Sequence, residues 1–471
     1  MNISNNGNSA VVFLGVIFLS TIAAVSTPNA AGGIAVIRIS GEQALEIADR
    51  IFTSVSGRKA VDMEGYTCTY GNAHDGDERL DDCILTVFRA PHSYTGEDTA
   101  EISCHGGIYV TRRVLSAALN NGAVSALPGE FTKRAFVNGK LDLTQAEAVM
   151  DVISAKSDRE LKMAEELREG AAFKKAEKCS AKLIKILGDL AAWADYPEED
   201  IPAVEPVTLR NELTEVKDEL ISLISNYDAG RIIREGVSTA IVGRPNVGKS
   251  TLFNLLSGCE RSIVTDIAGT TRDVVEETVR LGDIVLRLSD TAGIRETDDI
   301  IEGIGVQIAE KMIGTAELVI GVFDGGCPLT EDDLYLINKI NNKKSIAVIN
   351  KNDISQQLDT TVFKNNDIPF VLLSAKENTG IEQLKSKVEE LFRINDITLN
   401  SVCVANERQK QCIVSCLDSV NSSIAAIDNG ELLDAVNVLV DEAEQSLLEL
   451  TGKRITDTVV DEVFSRFCVG K

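Results

Sequence analysis

From Thr21 to about Asn138, short apolar runs alternate with glycine-rich breaks. The stretches GGIAVIRIS and DDCILTVFRA read as strands, whereas QALEIADRIF and YVTRRVLSAALNNG repeat apolar residues every three or four positions and read as amphipathic helices. This mixture predicts an α+β or α/β domain. From about Leu141 the three-to-four spacing runs through TQAEAVMDVISAKSDRELKMAEELREGAAFKKAEKCSAKLIKILGDLAAWADY with almost no breakers, which predicts a helical region. Pro197, Pro202 and Pro206 mark a turn or linker, and NELTEVKDELISLISNYDAGR predicts a further helix, ended by Gly230. From Val237 the strands STAIVG, IVLRLSD, ELVIGVFD, SIAVIN and FVLLSA alternate with helices, the pattern of a mostly parallel sheet wrapped by helices. After about Ile394 the chain is helical to its end. Two helical stretches around one α/β segment predict a helical domain interrupted by an inserted domain. The expected spans are an extension over 1–20, an α+β domain over 21–138, a first helical part over 139–235, the inserted domain over 236–394 and a second helical part over 395–471.

Composition narrows the class. The chain has 471 residues, 44% of them apolar and 25% charged, which predicts a soluble, cytoplasmic protein of about three domains. A net charge of -25 argues against a surface that binds nucleic acid throughout and leaves room for a local basic patch. The ten cysteines are scattered without a CxxC pair, so neither a disulfide scaffold nor zinc-site spacing is present, and a reducing compartment is expected. Cys412 and Cys416 share a helix face and read as small core residues. AVVFLGVIFLS, Ala10 to Ser20, resembles the apolar core of a signal peptide, but no Lys or Arg precedes Arg38. It is also shorter than the ~20 residues of a spanning helix, so a buried strand is the expectation. The C-terminal FCVGK places a cysteine where prenylation would need it, yet Gly470 is not aliphatic and Lys471 is not a usual final residue. No membrane association is expected.

The chemistry concentrates in the inserted domain. GRPNVGKST, Gly243 to Thr251, fits G-x-x-x-x-G-K-[ST] between a predicted strand and a predicted helix, the context a phosphate loop needs. Asn246, Val247, Gly248, Lys249, Ser250 and Thr251 are the expected nucleotide contacts: backbone N–H groups of the loop would cradle phosphates, Lys249 would reach the terminal phosphates and Ser250 would bind Mg²⁺. DTAG, Asp290, Thr291, Ala292 and Gly293, suits a carboxylate on the magnesium side with a glycine near the terminal phosphate. In NKND, Asn350, Lys351 and Asp353 follow another strand, and a carboxylate there accepts both N–H groups of guanine. SAK, Ser374, Ala375 and Lys376, would close over the base. A lone Asp at a strand end is usually a turn residue. Four such pieces in this order, at the strand ends where open α/β sheets bind ligands, point to GTP as the substrate.

At these residues the chain resembles a known family. VTDIAGTTRD, DTAGIRETDDIIEGIG, the N-terminal GGIAVIRISG, SYTGED and GEFTKRAFVNGKLDLTQAEA, and the terminal FCVGK together look like the MnmE/TrmE tRNA-modification GTPases, from about Thr21 to Lys471. The resemblance implies an N-terminal folate-binding and dimerising domain, a helical domain and an inserted Ras-like GTPase domain. It implies a K⁺-activated GTP hydrolase. With an FAD flavoprotein of the MnmG/GidA type, the enzyme would add an aminomethyl or carboxymethylaminomethyl group to C5 of the wobble uridine of certain tRNAs. The one-carbon unit would come from a 5-formyl- or methylene-tetrahydrofolate. A homodimer is implied, and a heterotetramer with the flavoprotein.

Residue roles follow from the same resemblance. Asn246 would hold K⁺ with backbone oxygens of Thr265, Ile267 and Thr270, and Thr271 would join Ser250 on Mg²⁺. Asp266, Ala268 and Gly269 belong to the same nucleotide-contacting stretch. A cation beside the phosphates offsets the charge that develops in the transition state, as an arginine finger does. Glu302 stands where the family's catalytic glutamate orients the attacking water. Arg38 would pair with a folate carboxylate, Glu101 would accept from the pterin edge, and Lys140 and Lys471 complete the folate set. The tail brings Cys468 near the one-carbon chemistry, where the thiol would assist catalysis or shape the site. One departure is that TPNAAGG lacks the arginine usual in the family's PGRGG loop. The competing reading is a ribosome-assembly type of GTPase switch, which has no need of the N-terminal domain or of FCVGK.

Overall fold

The computed structural model describes residues 20–195, 205–225, 227–259, 277–282, 284–288, 310–392 and 406–470. Apart from Ser20, the stretch expected as a strand over Ala10–Ser20 lies outside the described residues. The chain forms two compact units, one of residues 1–150, 167–221 and 411–471, the other of residues 151–166 and 222–410.

The first unit begins with a seven-stranded sheet in the order β3-β4-β5-β6-β2-β1-β7. Its strands are β1 (Ile22–Val25), β2 (Ile34–Ser40), β3 (Phe52–Ser54), β4 (Thr67–Asp75), β5 (Glu78–Phe88), β6 (Thr99–His105) and β7 (Val124–Ser125). All neighbours pair antiparallel except β1 and β7. Strand residues alternate between two faces. Ile37, Ile39, Leu85, Val87, Ala100 and Ile102 are buried against helices α1 (Ala44–Ile51) and α2 (Ile108–Asn120). The other face carries polar residues, and β2–β6 register sets Arg38 directly opposite Glu101.

Helices α3 (Glu130–Val137), α4 (Leu143–Ser154), α5 (Asp158–Arg168), α6 (Ala171–Asp195) and α7 (Pro206–Ile224) follow. The region predicted as one long helical run is broken between α5 and α6 by Gly170, which sits at φ 77. Between α6 and α7, Lys178, Lys182 and Lys185 pair with Glu219, Glu215 and Glu212. The numbers rise on one helix as they fall on the other, so these exposed pairs specify an antiparallel register more than they add stability.

In the second unit, Gly230 does not end a helix. It lies inside α8 (Tyr227–Glu235), and Gly236, at φ 73, stops that helix. A Cβ on Gly236 would stand 2.4 Å from the Val285 carbonyl oxygen, so close strand packing selects glycine there. The six-stranded sheet runs β13-β12-β11-β8-β10-β9. Its members are β8 (Val237–Val242), β9 (Glu277–Leu281), β10 (Ile284–Leu288), β11 (Leu318–Asp324), β12 (Ser345–Asn350) and β13 (Phe370–Leu372), with α9 (Lys249–Cys259) after β8. Helices α10 (Glu331–Ile340), α11 (Thr361–Asn365) and α12 (Ile381–Leu391) complete the domain. Only β9 pairs antiparallel. Ile241, Ile320 and Val348 pack on one face of this sheet; Val242, Val319 and Ile349 pack on the other. Burial on both faces explains the continuous apolar runs of these strands.

Helices α13 (Glu407–Asp428), α14 (Leu433–Thr451) and α15 (Asp457–Ser465) end the chain. The observed architecture is an α+β sheet domain, helices and a parallel α/β domain, the fold class expected. Cys412 and Cys416 are buried, and eight cysteines among the described residues are free thiols. Among the described residues no helix is long and apolar enough to cross a membrane.

One buried charge in the helical core is incompletely paired. Glu444 on α14 is 3% exposed; its Oε1 accepts from Ser180 Oγ at 2.7 Å, and its Oε2 has no partner among the described residues. Burial pushes its carboxyl up to about 7, against the Ser180 hydrogen bond and the nearby Lys453 charge. The unfolded chain loses this proton first, so stability falls as pH rises from about 4.5 to about 7 and is flat beyond. Glu444→Gln is expected to remove that loss. Denaturant unfolding at about pH 5 and about pH 8 should show the variant gaining roughly 2–3 kcal/mol relative to the parent at the higher pH only.

Candidate functional site

The loop after β8 is built to approach something closely. Gly243 sits at φ 157, and a Cβ there would lie 2.4 Å from the Val322 carbonyl oxygen. Gly248 sits at φ 100, with a Cβ position 2.1 Å from Asn350 Nδ2. Asn246 takes the left-handed conformation at φ 63, which asparagine tolerates better than most residues, and it is exposed. Val247 is buried and pins the loop to the core. Lys249 opens α9, and its Nζ donates to the carbonyl oxygens of Gly243 at 2.9 Å and Arg244 at 2.7 Å. Partial burial lowers the Lys249 pKa, because desolvation disfavours the charged ammonium. Ser250 and Thr251 are exposed in the first turn of the same helix, where backbone N–H groups are free of helical partners.

The two loops expected to read a base are tied to this one. Asn350, the last residue of β12, is 4% exposed; its Nδ2 donates to the Val247 carbonyl at 2.9 Å and its Oδ1 accepts from the Ala375 N–H at 3.0 Å. Lys351 is left-handed at φ 64 and its Nζ pairs with Asp324 Oδ2 at 2.6 Å. Asp353 accepts from Ser374 Oγ at 2.6 Å, and that bond holds its carboxyl below the usual range. Ser374 and Ala375 are buried, whereas Lys376 and Asp353 are exposed. Thus Asn246 to Thr251, Asn350, Lys351, Asp353 and Ser374 to Lys376 converge at one edge of the sheet. Thr265, Asp266, Ile267, Ala268, Gly269, Thr270, Thr271, Asp290, Thr291, Ala292, Gly293 and Glu302 lie outside the described residues.

A second candidate site stands on the open face of the first sheet. Arg38 Nε donates to Glu101 Oε1 at 2.8 Å across the β2–β6 pair, and both side chains keep about a fifth of their surface exposed (19% and 23%). The guanidinium lies 5.6 Å from the ring centres of both Tyr94 and Phe131, so aromatic faces flank the charge. Lys140 Nζ donates to the Pro91 carbonyl at 2.9 Å, beside the loop that carries Tyr94. The tail docks on the same domain. Gly129 N–H donates to the Cys468 carbonyl at 3.3 Å, and Ser26 Oγ donates to the Gly470 carbonyl at 3.1 Å. The Cys468 side chain is exposed, and Lys471 lies outside the described residues. Sequence reasoning assigned no role to Tyr94, Phe131 or Arg134, although SYTGED and GEFTKRAF contain them. Arg134 is fully buried and bonds Glu97, Glu130 and the Ser20 carbonyl, which fixes α3 beneath this site.

Two outcomes follow from this geometry. Asn350→Ala leaves the Val247 carbonyl and Ala375 N–H without their partner; it should lower unfolding stability by about 2 kcal/mol and guanine-nucleotide affinity by more than about tenfold, measured by denaturation and titration. Gly129→Ala places a Cβ 2.6 Å from the Phe464 carbonyl oxygen at φ +67. Hydrogen exchange of the amides at 466–470 should then accelerate by about tenfold or more, with about 1–3 kcal/mol of strain relieved by tail release.

The family model described as the MnmE helical domain matches residues 143–468, and that described as the GTP-binding protein TrmE N-terminus matches residues 21–140. A tRNA modification GTPase MnmE of Clostridioides difficile (strain 630) is 40% identical over 456 residues, covering 96% of this chain and 99% of the relative. The protein of that name from Acetivibrio thermocellus is 40% identical over 457 residues, again 96% of this chain and 99% of the relative. Among solved structures, the G domain of the T. maritima FeoB iron transporter is 30% identical, covering 33% of this chain and 98% of that one at a TM-score of 0.26.

Proposed function

The chain belongs to the MnmE family of tRNA modification GTPases, and from this we propose that it is a K⁺-activated GTP hydrolase acting with an FAD flavoprotein on the wobble uridine of certain tRNAs. The product would carry an aminomethyl or carboxymethylaminomethyl group at C5, with its carbon drawn from a 5-formyl- or methylene-tetrahydrofolate. The observation that carries the hydrolase reading is the convergence of the phosphate loop with Asp353 and Ser374 through Asn350. Asp353 is exposed and ionised, and Ser374 holds one of its oxygens. That carboxylate would accept the paired N–H groups of guanine, which adenine lacks.

The residues of the loop fit the ions proposed for it. Asn246 offers an amide oxygen at the exposed apex of the loop, a hard donor suited to K⁺, and the Ser250 hydroxyl is exposed where Mg²⁺ would stand. These cations would offset charge on the phosphates as the terminal bond breaks. Lys249, partly desolvated by the fold, would meet the terminal phosphates while keeping its place over the Gly243 and Arg244 carbonyls. Thr265, Ile267 and Thr270 are proposed to complete the K⁺ site, Thr271 the Mg²⁺ site, and Glu302 to orient the attacking water.

The sheet face of Arg38 and Glu101 suits a flat, charged ligand. A tetrahydrofolate would supply the one-carbon unit when bound there. Arg38 would release its Glu101 bond to fork onto a carboxylate, Glu101 would take N–H donors of a pterin, and the exposed Tyr94 would wall the site. Lys140 and Lys471 are proposed to join the ligand's acidic groups, with Cys468 near the carbon transferred. Two copies of the chain are proposed to assemble through the first domain, and with the flavoprotein to form a heterotetramer in the cytoplasm.

The test is GTP hydrolysis by the purified chain in KCl and in NaCl, repeated with Asn246→Ala. The expected result is a rate at least about tenfold lower in NaCl, with no such difference in the variant. Equal parent rates in both salts would make Asn246 a turn residue only. A parallel titration with 5-formyltetrahydrofolate should weaken by about tenfold in Arg38→Ala, with hydrolysis unchanged.

A further inference from the structure

Arg244, the second residue of GRPNVGKST, has a side chain that takes no part in the chemistry assigned to that loop. It is committed to a partner outside the loop. Its Nε donates to Asp333 Oδ1 at 2.8 Å. Asp333 stands in the first turn of α10 and is 2% exposed. Its Oδ2 accepts from Thr330 N–H at 3.0 Å and from Thr330 Oγ1 at 2.9 Å, while Asp333 N–H donates back to Thr330 Oγ1. This capping box closes the N-terminus of α10. Further along α10, Ile337 and Ile340 are buried in the sheet core, so the helix cannot shift without disturbing that core. At the other end of the connection, the Arg244 carbonyl accepts one of the two hydrogen bonds from Lys249 Nζ. A continuous path of contacts therefore runs from the core through α10 and Asp333 to the backbone that holds Lys249.

An exposed ion pair in this place would do little. Asp333 is not exposed, and a carboxylate in that setting gives direction to the guanidinium it holds. We propose that Arg244 is a positioning residue for GTP binding: its bond to buried Asp333 tethers the phosphate loop to α10 and holds the loop in its binding shape before nucleotide arrives. The proposal rests on the reading of that loop as the GTP phosphate cradle. A loop ordered in advance loses less entropy when it binds, and this acts on ground state and transition state alike. Loss of the tether should therefore appear in KM and in nucleotide release, not in kcat.

The experiment compares the full chain with Arg244→Ala, Asp333→Asn and the double variant in K⁺ and Mg²⁺, reading KM and kcat for GTP, the release rate of a fluorescent GDP analogue, and Tm. Arg244→Ala should raise KM and release about tenfold while kcat stays within about twofold. Its Tm should fall, because Asp333 is left charged and buried without its partner. The double variant removes that charge, so Tm should recover while KM stays raised. If Arg244→Ala does not fold, the double variant carries the test. A KM that returns to the parent value together with Tm would make the pair structural only and overturn the proposal, as would an unchanged KM in Arg244→Ala. A parent that binds no guanine nucleotide would overturn the reading of the site itself, and the tether with it.

Discussion

The side-chain amide of Asn350 is the joint on which the nucleotide site depends. One of its atoms holds the phosphate loop at Val247 and the other holds the Ser374–Lys376 loop at Ala375. A parallel sheet buried on both faces leaves its strand ends as the place where loops from different strands can meet. The two Asn350 bonds join those loops to one another across the sheet edge. An amide is suited to this task because it donates and accepts at once, and in a buried position neither bond competes with water. Gly248 follows from the same constraint, since any Cβ there would occupy the space of Asn350 Nδ2.

The first domain solves a similar problem with different means. Its sheet is covered by helices on one face, so the other is free to carry Arg38 and Glu101. Strand register, and no loop, sets the distance between them. The last residues of the chain then cross to this domain and bond Gly129 and Ser26. Phe464 and Phe467 pack with Phe136 beneath that crossing, so apolar burial delivers the tail and backbone hydrogen bonds fix its path. The chain end is thereby bonded to residues more than 300 positions earlier in sequence, 444 in the case of Ser26 and Gly470.

Much of this was legible in the residues. Period-two and continuous apolar runs identified β2 and β5 of the first sheet and β8, β10, β11, β12 and β13 of the second, because each period answers to one or two buried faces; the shorter or more polar β1, β3, β4, β6, β7 and β9 escaped. The phosphate loop was legible because its glycines answer to backbone geometry, as φ 157 at Gly243 and φ 100 at Gly248 now show. Gly230 misled, since a glycine within a helix costs only about 1 kcal/mol and packing overrides it; the breaker was Gly236, pressed against Val285. The Arg244–Asp333 pair was not legible, because its partners are 89 residues apart and no spacing rule links a loop to a helix from another crossover. Tyr94 was missed for a like reason: an aromatic residue reads as core until the charge beside it is seen, whereas Phe131, which also lies against Arg38, is itself fully buried core. The roles of Thr265, Thr270, Thr271 and Glu302 rest on the family resemblance alone.

On the proposed reading, GTP hydrolysis in this chain serves modification of tRNA. The most direct measurement is the nucleoside content of tRNA from cells lacking the chain, by mass spectrometry, with complementation by the parent or by Lys249→Ala. C5-aminomethyl-type uridines at the wobble position are expected to be lost, and to be restored by the parent and not by the variant. Unchanged wobble uridines in the deletion strain would contradict that reading and leave a GTPase whose work lies elsewhere.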